Sequence, residues 1–349
     1  MYKRQINSDP DENATAASPL LDRPGAVAAT GIDAGTAWHY GDPLGEQRVL
    51  VRGAGVVDRS TRGVLVVSGV DRLSWLHSIC SQHVADLRDG DTAHALVLSP
   101  HGHVEQDWRL TELGGQVWLD VEPGTTGAAL DYLLKMRFMK RVEPADVSAA
   151  FAVLALNGPA AADVLRAAGE PAPEPGTALA RGEGGFVRAT ETGYDLVVPR
   201  TELSRVAGDL VAAGAEPVGA WAAAADRVER RQPRLGFETD HRTIPHEIGL
   251  IGVAVHLNKG CYRGQETVAR VQNLGQPPRR LVLLQLSGES DELPEPGTPI
   301  ERDGRTIGFL GTAVHHHELG PIALAVVKRN LPDDAELTVA GHAAGIDPS

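Results

Sequence analysis

One local pattern occurs twice in this chain, and that repetition limits its possible folds more than any other feature. Val64-Leu65-Val66-Val67 is a short apolar run closed by Ser68-Gly69, after which Asp71 opens a helix carrying Leu73, Leu76 and Ile79 on one side. Phe151-Ala152-Val153-Leu154-Ala155-Leu156 is likewise followed by a turn at Asn157-Gly158-Pro159 and a helix from Ala160 to Ala168, ended by Gly169. Each reads as strand, turn, helix, and the recurrence predicts two related α+β units produced by an internal duplication.

The remaining elements fill out those units. Ala95-Leu96-Val97-Leu98 and Val117-Trp118-Leu119-Asp120-Val121 are strands, with a turn at Ser99-Pro100-His101-Gly102-His103 between them. A helix from about Thr125 to Met136 turns Leu130, Leu133 and Leu134 inward, and Tyr194 to Val198 is a strand with a helix over Glu202–Ala213. Beyond Gln276-Pro277-Pro278 the pattern changes to short strands at Leu281–Leu286, Thr306–Leu310, Ala323–Val327 and Leu337–Ala340, separated by turns such as Glu295-Pro296-Gly297 and Arg302-Asp303-Gly304. That spacing predicts a small antiparallel barrel.

These readings divide the chain into an extension over 1–45, a first unit over 46–150, a second over 151–276 and a barrel over 277–349. The extension is rich in Asp, Pro, Ala, Gly and Thr without apolar periodicity and is expected to be mobile. A chain of 349 residues has ample length for several cores. No apolar run reaches the roughly 18 residues a membrane span needs, the N-terminus lacks a secretory apolar core, and two cysteines cannot make a disulfide framework. A cytoplasmic location without membrane contact is expected. The net charge of −13 disfavours direct nucleic-acid binding, so any anionic ligand must meet a local basic patch.

Chemistry concentrates at residues 259–266, Lys-Gly-Cys-Tyr-Arg-Gly-Gln-Glu, where Cys261 stands between Lys259 and Arg263 just before a helix expected after Gly264. Neighbouring cations and a helix N-terminus both stabilise a thiolate, so this arrangement suits a reactive sulfur. The plainer alternative is a small buried hydrophobe.

This octapeptide resembles the signature of the YgfZ family, folate-binding relatives of the glycine-cleavage T-protein. Other segments from about residue 50 onward follow in the same order: Gly69 to His77, Asp226-Arg227-Val228-Glu229 with Pro233, Thr243-Ile244-Pro245-His246-Glu247, and Val268-Ala269-Arg270. The resemblance implies an α+β fold of T-protein type, three units ringed about a central folate pocket with a C-terminal barrel. It also implies tetrahydrofolate or a related reduced folate as cofactor, and iron–sulfur client enzymes as partners, including tRNA-modifying radical enzymes. A monomer is expected.

Carried over residue by residue, the resemblance makes Glu191 the pterin ligand, because a carboxylate matches the ring's amide N–H and exocyclic amine. Arg227 faces the anionic glutamate tail, with Glu229 and Tyr262 as further folate contacts. Solvated or ion-paired roles stand beside these for Glu191 and Glu229. The T-protein's acidic pair falls at Gly102-His103-Val104-Glu105-Gln106-Asp107, where Gln106 interrupts it; Asp107 remains as a candidate acid or base, or as an ordinary turn residue.

Lys135 to Arg141 interleaves cations with apolar residues and reads as a solvated amphipathic segment. His315-His316-His317 lacks the further ligands a metal site needs, and no metal is expected.

Two functions follow. In one, the protein supports assembly, repair or delivery of iron–sulfur clusters, with Cys261 as the working thiol and Lys259 beside it. A transient cluster contact is conceivable, though a lone thiolate cannot hold a cluster by itself. In the other, the protein is a tetrahydrofolate-dependent aminomethyl or methyl transferase. A folate-binding interaction module without chemistry is a third possibility.

Overall fold

The structure, a computed structural model, describes residues 17–289 and 292–348, with the backbone alone at Leu274. Two larger open sheets, a two-stranded sheet of Val27–Ala28 with Ala37–His39, and one barrel make up the described residues. The first sheet orders its strands Thr92–Leu98, Val104–Leu113, Gln116–Val121, Gly63–Ser68 and Glu143–Asp146, all antiparallel. Helices Arg72–Ile79 and Thr126–Lys135 cover one of its faces. Trp75, Leu76, Ile79 and Leu133 from the helices meet Trp108, Leu110 and Leu119 from the sheet there. Asp71 sits at the start of the first helix, yet its carboxylate accepts the backbone N–H of Arg141 at 2.9 Å rather than capping the helix.

The second sheet runs Ala178–Ala180, Phe186–Ala189, Gly193–Pro199, Phe151–Asn157, Gly55–Asp58 and Glu216–Val218, with only the last pair parallel. The expected boundary at residue 46 is therefore corrected: helix Pro43–Arg52 and strand Gly55–Asp58 belong with the second unit, because strand Phe151–Asn157 needs a partner on its open edge. The expected mobile extension also divides. Residues 1–16 lie outside the described residues, whereas 17–45 are folded down. Leu20 enters the second unit's core, Trp38 stacks on Trp221 at 5.7 Å, and Asp33 binds Arg234 at 2.7 Å. Single anchors of this kind leave no periodicity to read.

The barrel closes in the order Arg279–Leu286, Gly320–Lys328, Arg305–His316, Pro299–Arg302, Leu337–Val339 and His342–Asp347, the last pairing back to the first. This gives the anticipated α+β architecture with a closed six-stranded barrel.

The three bodies are joined by residues 230–278, which lack long regular elements before the helix Gln265–Leu274. Glu238, with no exposed surface, accepts hydrogen bonds from Arg227 at 3.0 Å, the Arg234 backbone at 2.7 Å and the barrel's Thr312 backbone at 2.7 Å. Arg279 grips Asp240 and Glu247, each at 2.8 Å. The signature does not pack in the second unit, as its sequence position suggested. Tyr262 and Val268 join Leu96, Leu98 and Val104 on the far face of the first sheet, along with Val326 of the barrel.

Candidate functional site

Two neighbouring cavities lie where these bodies meet, of about 160 Å³ and about 380 Å³. Arg109, Gln232 and Pro233 line both. Most of the charges that wall the smaller cavity satisfy one another. Arg62 and Arg188 bind Asp120 at 2.8 and 2.5 Å, Arg188 also binds Asp195 at 2.6 Å, and Arg234 spans Glu122 and Asp33, both at 2.7 Å. Burial alone would raise the Asp120 carboxyl, but Arg188 and Arg62 outweigh it and hold it at about 2. On the same wall, Asp58 Oδ2 and Asp195 Oδ1 have no hydrogen-bond partner.

Asp107 reaches this cavity because of strand alternation. Along Val104–Leu113, past a register irregularity at Val104–Gln106, residues 106, 108 and 110 point to the helix-covered face, which leaves Asp107 and Arg109 on the opposite side with Leu96. Gln106 thus points away: its amide donates to the Ala128 carbonyl at 3.3 Å and its oxygen accepts Trp108 Nε1 at 2.8 Å. Asp107 sits mid-strand rather than in a turn, and His94 Nε2 lies 2.8 Å from its carboxylate. Burial pushes the His94 imidazole down, toward its neutral form. Burial would raise Asp107, but its interaction with His94, with Arg109 nearby, holds it below the usual carboxylate range. Neutral His94 donating from Nε2 to ionised Asp107 fits both directions. It also leaves His94 Nδ1, buried without a partner, as a bare lone pair rather than an orphaned donor. The result is an ionised carboxylate at the cavity wall, oriented by an imidazole and suited to stabilising positive charge.

The signature loop is fixed from both sides. Gly264 and Gly102 both have positive φ, and a Cβ on Gly264 would fall 2.5 Å from the Ser99 carbonyl oxygen and 2.9 Å from Gly102 Cα. Only glycine allows that contact. Arg263 pairs with Glu105, two residues before Asp107, at 2.8 Å. Lys259 is buried, and its ammonium donates to the carbonyls of His77, of Cys80 at 2.5 Å and of Gln82 at 3.1 Å, 4.9 Å above the Tyr262 ring. The cations flanking the thiol in sequence are therefore engaged elsewhere: Lys259 ties down the end of helix Arg72–Ile79, and Arg263 is ion-paired. Sequence spacing in an irregular loop does not reveal which way such side chains point. Cys261 itself is an exposed free thiol that lines neither cavity.

The other expected ligands separate. Glu191 lines the larger cavity and accepts Gln232 Nε2 at 2.8 Å. Arg227 lines the smaller one, bound to Glu238, Thr312 and the Gln232 carbonyl. Glu229 and Tyr262 line neither. Glu229 lies on the surface 3.4 Å from His316, because it ends helix Ala220–Glu229 two residues from the inward-facing Arg227. Tyr262 is packed as core, its hydroxyl raised to about 12 by burial. His316 Nδ1 accepts the backbone N–H groups of Glu318 and Leu319, closing the turn after the barrel strand. Among the described residues no group of three His, Cys, Asp or Glu side chains could hold a metal. His94 and Arg109 were not anticipated from the sequence. Their signal was the pairing of strand Thr92–Leu98 with Val104–Leu113, which sets them opposite each other.

Residues 25–174 match the GCVT N-terminal domain, and residues 279–345 match the glycine cleavage T-protein C-terminal barrel domain. An aminomethyltransferase of Geobacillus kaustophilus is 30% identical over 295 residues, 80% of each chain. One from Symbiobacterium thermophilum is 29% identical over 314 residues, 83% of this chain and 82% of its own. A chloroplastic protein of Arabidopsis thaliana, provisionally named a transferase, is 28% identical over 271 residues; the match spans 74% of this chain and 61% of that one. The crystal structure of the glycine cleavage system aminomethyltransferase T from Bartonella henselae superimposes with a TM-score of 0.83 at 21% identity, covering 94% of both chains. No helix among the described residues is long and apolar enough to cross a membrane.

Proposed function

The chain belongs to the glycine-cleavage T-protein family, and from that premise we propose that it is a reduced-folate-binding protein whose thiol Cys261 serves the assembly, repair or delivery of iron–sulfur clusters, as cargo, to client enzymes. The observation that carries this reading is the separation of thiol from cavity. Cys261 is exposed on a loop locked between Gly102 and helix Gln265–Leu274, yet lines neither cavity. A protein that holds folate inside while offering a soft sulfur to a second protein needs that arrangement. The resemblance of Lys259–Glu266 to the YgfZ signature supports the iron–sulfur role and, with it, clients that modify tRNA.

The cavity residues suit a folate. Glu191 offers a carboxylate to the pterin edge, His94 Nδ1 is a buried acceptor without a partner, and Arg109 offers an unpaired cation. When bound, the folate would supply a carrier for one-carbon units, and the chain would orient it and exclude water. One observation favours a second reading, aminomethyl transfer: Asp107 presents an ionised carboxylate, oriented by His94, at the cavity wall, where it steadies positive charge on a bound nitrogen.

The two readings separate in a deletion strain assayed for cluster-dependent enzymes. With iron–sulfur support, Cys261→Ser abolishes rescue, since serine keeps the size but loses the accessible anion and the soft sulfur; Asp107→Asn has the smaller effect. Full rescue by Cys261→Ser, with folate-dependent aminomethyl transfer by the purified protein, would falsify the first reading and establish the second.

A further inference from the structure

Residues 135–141, Lys-Met-Arg-Phe-Met-Lys-Arg, read in sequence as a solvated amphipathic segment, but the structure turns apolar side chains of this segment outward. Phe138 is 81% exposed and Met139 98%, the two most exposed large apolar side chains among the described residues. They form the central pair of a turn closed by the Lys140 backbone N–H, which donates to the Arg137 carbonyl at 3.0 Å. Phe138 holds φ 45°, a left-handed conformation that a bulky residue keeps only where surrounding structure or function demands it. Leu134, at the end of helix Thr126–Lys135, is also exposed, as is Val70, which follows the Gly69 packed against the Arg141 carbonyl.

The base of this turn is held on both sides. Trp75 Nε1 donates to the Met136 carbonyl at 2.8 Å, and Met136 packs against the core of the first unit; beyond the turn, Val142 has no exposed surface. Asp71 accepts the Arg141 backbone N–H at 2.9 Å and pairs with its guanidinium at 3.3 Å. The apolar tip therefore projects from a fixed base. Lys135, Arg137, Lys140 and Arg141 surround it in sequence, with no carboxylate inside the segment. Of these four cations only Arg141 has an ion pair among the described residues. In a chain of net charge −13 this is a local reversal of sign.

We propose that this turn is a membrane-docking tip: Phe138 and Met139 enter the boundary between headgroups and acyl chains of an anionic phospholipid surface, while Lys135, Arg137 and Lys140 meet its phosphates. The contact is peripheral and departs from the sequence expectation of a protein without membrane contact. A lipid surface fits better than a protein partner on grounds of area. A stable protein interface buries about 1,200–2,000 Å², whereas two side chains at the tip of one turn offer roughly a few hundred. An interfacial anchor combines apolar side chains that sink with cations that stay at headgroup level, and the order cation, apolar pair, cation supplies both within one turn. At physiological ionic strength the Debye length is about 8 Å, so the acidic remainder of the surface is screened while cations in contact are not. The tip adjoins the start of helix Arg72–Ile79 through Asp71, and Lys259 is bound at the other end of that helix. Docking thus draws neither on the loop of Cys261 nor on the cavities, and it stands apart from the folate reading.

The test is co-sedimentation of the full chain with vesicles of phosphatidylcholine alone and of phosphatidylcholine mixed with phosphatidylglycerol, at low and high salt. Wild type is compared with the apolar double variant Phe138→Ser/Met139→Ser and with the charge variant Lys135→Gln/Arg137→Gln/Lys140→Gln. Wild type should partition onto the mixed vesicles and far less onto phosphatidylcholine. The apolar variant should lower that partition by about thirtyfold, and the charge variant by about a hundredfold, with loss of the salt dependence. Phe138→Trp should bind as wild type does, since tryptophan also sits at a membrane interface, which separates a lost anchor from a disturbed turn. A wild type that stays in solution with the mixed vesicles overturns the proposal and leaves the tip to a protein partner. Undiminished binding by the apolar variant reduces the contact to adsorption by charge and overturns the anchor. Undiminished binding by the charge variant overturns the role of the three cations.

Discussion

Replacing Lys259 with methionine tests whether this residue braces the fold rather than charging the thiol. Its ammonium donates to three carbonyls, those of His77, Cys80 and Gln82, at and just beyond the end of helix Arg72–Ile79. A helix end leaves such carbonyls without internal partners, and a hydrogen bond from a charged donor contributes about 1.5–3 kcal/mol. Against this stands the cost of burying the ammonium, which pulls the Lys259 amine below its usual range. Methionine retains the contact with the Tyr262 ring and removes the donors. The net loss expected is about 2–4 kcal/mol, a melting point lower by roughly 3–6 °C for a chain of 349 residues. Scanning calorimetry measures the shift, and native-state alkylation locates it. Cys80, whose carbonyl is one of the three acceptors and whose thiol is buried, should label at least about thirtyfold faster when that turn opens locally. A melting point within about 1 °C of wild type, with Cys80 still protected, would refute the bracing role.

In the wild-type protein, Cys261 should be alkylated at least about a hundredfold faster than Cys80 at neutral pH, because Cys261 is exposed while Cys80 is buried and its thiol is raised by desolvation; equal rates would contradict it. Glu238→Gln should destabilise by about 3–5 kcal/mol, seen as a lower urea midpoint, because it leaves Arg227 facing a neutral group in a buried junction. Stability should fall on acidification in two stages. His77, His94 and His246 have depressed folded values, so their contribution is present above about 6.5 and declines below it. Asp120, held at about 2, adds a contribution present above about pH 4 and lost as pH falls toward 2. A urea midpoint that stays flat from pH 7 to pH 3 would contradict this.

What the sequence conveyed depended on whether a feature was periodic. The apolar runs at Val64 and Phe151 and the short apolar runs after Pro278 stand out within a few residues each, and each lies in a strand of the structure. Residues 17–45 are held by single contacts, at Leu20, Asp33 and Trp38, and contacts of that kind leave no pattern in a linear string. The site divides in the same way. Asp107, Glu191 and Arg227 reach the cavities, and Asp107 owes this to alternation on a strand. Lys259 and Tyr262 turned inward as supports, since in an irregular loop sequence order says nothing about side-chain direction. Arg329 and His94 are far apart in sequence and meet only when the barrel and the first sheet close on the same space.

The separation of thiol from ligand is tested most directly by titrating tetrahydrofolate into three proteins by calorimetry: wild type, Cys261→Ser and Glu191→Ala. Cys261 lines neither cavity, so its serine variant should bind with unchanged affinity. Glu191 lines the larger cavity, and its loss should weaken binding by about 1.5–3 kcal/mol, roughly tenfold to a hundredfold. A wild type that does not bind folate, or a Cys261→Ser variant that loses binding as severely as Glu191→Ala, would contradict a folate cavity set apart from its thiol.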